Sequence, residues 1–117
     1  MNEQNSEYLD KVVLNIFQLI GSPNKLKIML GAKHFVKGYF DRGYFDQDNH
    51  PGIQFKFLRS NGINCCQFTL DIGSDLYCLK FFNIKGLNST EVSTYPNLFI
   101  DSVRQTFEQE TGLYLSL

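Results

Sequence analysis

The sequence holds little of what usually announces chemistry. In 117 residues there are three cysteines, none in CxxC spacing, and two histidines. An odd cysteine count without paired spacing argues against a secreted disulfide framework. Zinc would have to draw His34 and His50 together with Cys65 and Cys78 from scattered positions, so no metal or other cofactor is expected. The cysteines read as small hydrophobes. An excess of one charge is also missing: 11 Lys and Arg stand against 12 Asp and Glu, a net charge of −1. No apolar run approaches the roughly 20 residues of a membrane span, because Asn15, Gln18 and Gly21 interrupt the longest. Internal repeats and low-complexity tracts are absent. The opening MNEQNSEYLD is polar and acidic, unlike a signal peptide. These absences lead to an expectation of cytosolic residence without a membrane partner.

What is present is the composition of one globular domain, with 43% hydrophobic, 15% aromatic and 20% charged residues. Residues 1–117 are expected to form a single domain, with 1–5 as a flexible leader. The clearest signal lies in residues 53–82. Asn61-Gly62 suits a two-residue type I′ turn, in which both central residues need positive φ, and Gly73-Ser74 suits a second tight turn with glycine first. Together they predict three antiparallel strands with the rows Ile53/Leu70/Tyr77, Phe55/Phe68/Leu79 and Phe57/Cys66/Phe81 on one apolar face. The opposite face reads Gln54/Thr69/Cys78, Lys56/Gln67/Lys80 and Leu58/Cys65/Phe82, which is mixed.

Helical patterns flank this meander. Leu9, Val12, Val13, Ile16, Leu19 and Ile20 recur at the helical period behind the candidate caps Asn5 and Ser6, and Gly21 ends the run. Ser22-Pro23 opens a short helix carrying Leu26, Met29 and Leu30 before Gly31. Residues 32–52 admit two readings, irregular packing across the mixed face or a further edge strand. Residues 85–94 read as a polar connector. Pro96 then leads into a helix with Phe99, Ile100, Val103 and Phe107 on one side and Gly112 at its end, after which the apolar residues 113–117 should dock. The predicted fold is α+β: a three- or four-stranded antiparallel meander with N-terminal helices and a C-terminal helix packed on one face.

Two surfaces are candidates for function. Residues 25–85 hold nine basic against five acidic side chains, and Lys56, Arg59, Lys80 and Lys85 are the nucleic-acid candidates on the mixed face. The aromatic segment supplies the protein-binding candidates Tyr39, Phe40, Arg42, Tyr44 and Phe45, since aromatics with a nearby arginine are typical interface anchors. A calcium loop starting at Asp46 fails where glycine and a bidentate glutamate are required, because Pro51 and Phe57 stand there. A cysteine nucleophile is disfavoured because strand cysteines among apolar neighbours are inert, and no catalytic residues are expected.

The run Gly31-Ala32-Lys33 with Phe35, the pattern Phe55-Lys56-Phe57, Phe68-Thr69-Leu70 followed by Asp75-Leu76-Tyr77, and the closing stretch from Phe107-Glu108 to TGLYLSL carry a resemblance. Over about residues 30–117 the chain resembles small bacteriophage-encoded proteins of unassigned function. The resemblance implies a viral origin and residence in the bacterial cytoplasm. It implies no activity. The expectation is therefore a non-enzymatic phage accessory protein that binds a host or viral protein, with nucleic-acid binding as the alternative and self-association through a free sheet edge as a further possibility.

Overall fold

Asn61 and Gly62 adopt φ of 53° and 75°, the double left-handed geometry a type I′ turn demands, and from this turn the sheet grows outward. The computed structural model describes residues 3–40, 50–71 and 73–115. In chain order these form α1 (Glu3–Ile20), α2 (Pro23–Leu30), β1 (Lys33–Phe40), β2 (His50–Ser60), β3 (Ile63–Asp71), β4 (Leu76–Lys85), β5 (Asn88–Leu98) and α3 (Ile100–Thr111). The strands form one sheet in the order β1-β2-β3-β4-β5, with every neighbouring pair antiparallel.

The α+β class is as expected, and the sheet is larger by two strands than the minimal meander. Residues 33–40 are a strand, the second of the two readings of that segment. The polar connector is in fact mostly strand: β5 pairs with β4 from Lys85↔Asn88 to Tyr77↔Leu98. Its polarity reflects its place, because an edge strand with one exposed face needs few apolar side chains. The turn before it, Gly86-Leu87, has glycine first with φ 59°. Gly73-Ser74, by contrast, lies inside a longer loop between Asp71 and Leu76. There the Asp71 carboxylate accepts from Gly73 N at 3.0 Å, its carbonyl accepts from Asp75 N at 2.8 Å, and Asp75 takes the positive φ of 58°.

The β3–β4 register is as predicted, with Phe68 opposite Leu79 and Cys66 opposite Phe81. Between β2 and β3 none of the three predicted rows forms, and the predicted register survives only beside the turn, at Ser60↔Ile63. Phe57, Leu58 and Arg59 stand opposite Asn64 alone, so beyond this bulge Ile53 faces Phe68 and Phe55 faces Cys66. A slip of two residues keeps every side chain on its face. All nine residues assigned to the apolar face accordingly belong to the core.

That core is closed by the helices. Leu9, Val12, Ile16 and Ile20 of α1, Leu26 and Leu30 of α2, and Val103 and Phe107 of α3 are buried. Phe107 meets the rings of Phe57, Phe68 and Phe81 at centroid separations of 5.7, 6.0 and 6.1 Å. Each such side chain contributes about 1.5–3 kcal/mol by leaving water, offset by chain entropy. The Ser22 hydroxyl accepts from Lys25 N at 3.2 Å and Gly31 takes the left-handed position, as the pattern of α2 required. α1 begins at Glu3, upstream of its expected caps. α3 begins at Ile100 because β5 runs through Pro96, and this leaves Phe99 and Ile100 exposed instead of on the helix's buried stripe. Leu115 docks in the core, while Tyr114 points outward.

The mixed face is not open at its centre. Cys65, Thr69 and Cys78 are buried, and Gln67 and Lys80 are each only 8% exposed. Gln67 Nε2 donates to Gln54 Oε1 at 3.2 Å, and Lys80 Nζ lies 3.6 Å from Glu91 Oε1 on β5.

Candidate functional site

Two places bring chemistry-bearing side chains together. The first lies beside β1. Among the described residues this strand pairs with β2 alone, so it stands at the edge of the sheet. Next to it is an apolar groove of about 300 Å³ lined by Val13 and Phe17 of α1, Pro23, Phe35, Val36 and Ile53. Its position follows from the packing of α1 over the first strands. Phe35 turns to the helix side and meets the rings of Phe17 and Phe55 at 6.0 and 5.2 Å. Val36 also lines the groove and is 52% exposed. Lys37 Nζ bonds Asp10 Oδ1 at 2.6 Å, tying β1 to α1 at the rim.

The second place is a cationic cavity of about 330 Å³ whose lining includes Lys33, His34, Lys56, Leu58, Arg59 and Asn64. Two irregularities in adjacent strands create it. The β1–β2 register shifts between Lys33 and Val36, with His34 at φ 57°, and the bulge of β2 displaces Phe57, Leu58 and Arg59. Past the β1 irregularity Lys33 pairs directly with Lys56. Arg59 Nε donates to Asn83 Oδ1 at 3.2 Å and one Nη donates to the Ile84 carbonyl at 2.9 Å. Asn64 holds the same backbone unit, accepting from Ile84 N at 2.7 Å and donating to its carbonyl at 2.9 Å.

The candidates from sequence are distributed between these places. Tyr39 and Phe40 are half-buried in the last residues of β1, beyond the groove. Arg42, Tyr44 and Phe45 lie outside the described residues, as do residues 46–49 at the start of the rejected calcium loop. Lys56 and Arg59 line the cationic cavity, whereas Lys80 is buried against Glu91 and Lys85 is exposed at the β4–β5 turn. Sequence reasoning missed Lys33 and His34 because nothing local marks the bulge that brings them to Lys56. It also missed Val13, Phe17 and Phe35 as groove residues, since their apolar spacing is the same as that of core residues.

The titratable groups show inert thiols and a tyrosine cluster. Burial pushes the Cys65 thiol up to about 11, with Lys56 pulling weakly the other way, and burial pushes Cys66 well above the ordinary range. All three cysteines are buried and none is in a disulfide. At the far end of the sheet Tyr8 and Tyr77 are raised, first by burial and then by the Asp75 carboxylate. No group of three His, Cys, Asp or Glu that would hold a metal ion occurs among the described residues. No described helix is long and apolar enough to cross a membrane. No protein-family model matches the chain, and neither does any curated protein or solved structure.

Proposed function

We propose that this chain is a non-enzymatic accessory protein of phage origin that works in the bacterial cytoplasm by binding a host or viral protein. It takes an extended, apolar segment of that partner along the outer edge of β1. The observation that carries this reading is the groove of Val13, Phe17, Phe35 and Val36 lying directly beside that edge. An added strand gains affinity from main-chain hydrogen bonds, and a neighbouring apolar groove selects its alternate side chains. The viral origin rests on the resemblance of the closing residues to phage proteins. A nucleic-acid track across the mixed face is less favoured, because Lys80 is held by Glu91 at its centre.

The test starts from capture of a partner by the intact protein in bacterial lysate with and without nuclease, followed by binding of synthetic segments of that partner. The expected result is a nuclease-resistant complex in which alternate amides of β1, those that face away from β2, gain protection from hydrogen exchange. Val36→Asp should weaken it by about tenfold or more while leaving the melting temperature unchanged, because Val36 is exposed. Unchanged exchange along β1, or a Val36→Asp protein that binds like the parent, would refute the reading.

A further inference from the structure

The geometry points to a second binding site: the cavity between the two bulges holds one phosphate group, presented either as free phosphate or as the monoester of a small molecule such as a nucleotide. This site is independent of the β1 groove.

Charge is the first argument. Lys33, Lys56 and Arg59 all line one cavity, and the described residues of its lining include no carboxylate. Among the described residues none of the three meets a carboxylate within 4.0 Å, whereas Lys37 has Asp10 and Lys80 has Glu91. Like charges directly opposite each other in an antiparallel ladder destabilise it, and Lys33 is the direct partner of Lys56. An anion between the two ammonium groups removes that repulsion.

Orientation is the second. The Arg59 fork is fixed by uncharged acceptors, Asn83 and the Ile84 carbonyl, so its direction is set while its charge stays uncompensated. Guanidinium has five N–H donors, and those not engaged here remain for a tetrahedral oxyanion. His34 adds an imidazole from a left-handed backbone position, a strained conformation that tends to occur at ligand sites. Three permanent cations suit a phosphate dianion better than a single carboxylate. Of the other basic residues on this side, Lys80 is paired with Glu91 and Lys85 is not among the lining residues.

The experiment measures melting temperature and calorimetric binding of the full chain at constant ionic strength with four probes. These are inorganic phosphate against chloride, a nucleoside 5′-monophosphate, the same nucleoside without phosphate, and a single-stranded oligonucleotide lacking terminal phosphate. Phosphate or the monophosphate should raise the melting temperature, since a ligand of the native state stabilises it, and the bare nucleoside should not. Whichever of the two binds tighter identifies the source. Lys33→Gln and Lys56→Gln should each weaken binding by about tenfold or more and also melt higher than the parent in ligand-free buffer, a gain that only relief of repulsion predicts. Lys11→Gln, on the exposed side of α1 and outside the lining, should bind normally. The proposal is overturned if phosphate acts no differently from chloride, if the Lys33 and Lys56 variants respond like the parent, or if the oligonucleotide binds more tightly than the monophosphate.

Discussion

At the scale of single residues, the tightest constraint lies at a position that no motif marks. A Cβ on Gly52 would lie 1.9 Å from the Phe68 carbonyl oxygen, and both residues have their backbone held in the ladder. Neither strand can yield without losing hydrogen bonds. Gly52→Ala should therefore cost at least about 3 kcal/mol, read as a fall in the urea midpoint at unchanged slope. The thiols offer a pH-dependent prediction. Cys65, held near 11 by burial, is almost wholly protonated at pH 8, so iodoacetamide should modify the native protein slowly and the urea-unfolded protein rapidly. Because the folded value lies above the unfolded one, the associated stability is complete below the unfolded thiol value. It is lost as pH rises toward 11, and the melting temperature should drop across that window. Sequence alone already read these cysteines as inert, since alternation placed them in strands with apolar neighbours.

At the scale of elements, β5 and α3 are joined by one carboxylate. Glu110 accepts from Ser93 Oγ at 2.6 Å and from Tyr95 OH at 2.5 Å, and the Asn61 amide donates to the Glu110 carbonyl at 3.2 Å. The hydrogen bond to Glu110 is the main reason the Tyr95 phenol is raised. Its proton is held more tightly in the folded state, so this stability is complete below the ordinary tyrosine value and is lost as pH rises from there through the raised folded value. Tyr95→Phe should cost about 1 kcal/mol at neutral pH, and in absorbance titration it should remove the tyrosine that ionises late because of Glu110. Elements were legible where the local code is strong. Asn61-Gly62, Ser22-Pro23 and Gly112 declared their turn, cap and stop, because positive φ and a fixed proline φ admit few residue types. β5 was not legible, because an edge strand of Ser, Thr and Asn has the composition of a connector. The bulge at Phe57, Leu58 and Arg59 was hidden for a related reason: two extra residues preserve the alternation from which register is read.

At the scale of the whole molecule, one core joins all three helices to the sheet, with Phe107 reaching Phe57, Phe68 and Phe81 on three different strands. Removing that ring should cost about 3–5 kcal/mol. In Phe107→Ala, loss of helix by far-ultraviolet dichroism and loss of aromatic packing by near-ultraviolet dichroism should still share one midpoint, now lower; separate midpoints would mean that the helical layer is not part of the same cooperative unit. The sequence by itself determined the α+β class, the helices, the face on which nine strand residues are buried and the order of the central strands, because alternation and turn stereochemistry act over a few neighbouring residues. Tertiary structure alone decided the two edge strands, the closure of the mixed face over Cys65, Thr69 and Cys78, and the meeting of Lys33 and His34 with Lys56 and Arg59. Those outcomes depend on bulges and on contacts between residues separated in the chain, such as Lys33 with Lys56, which no local pattern encodes.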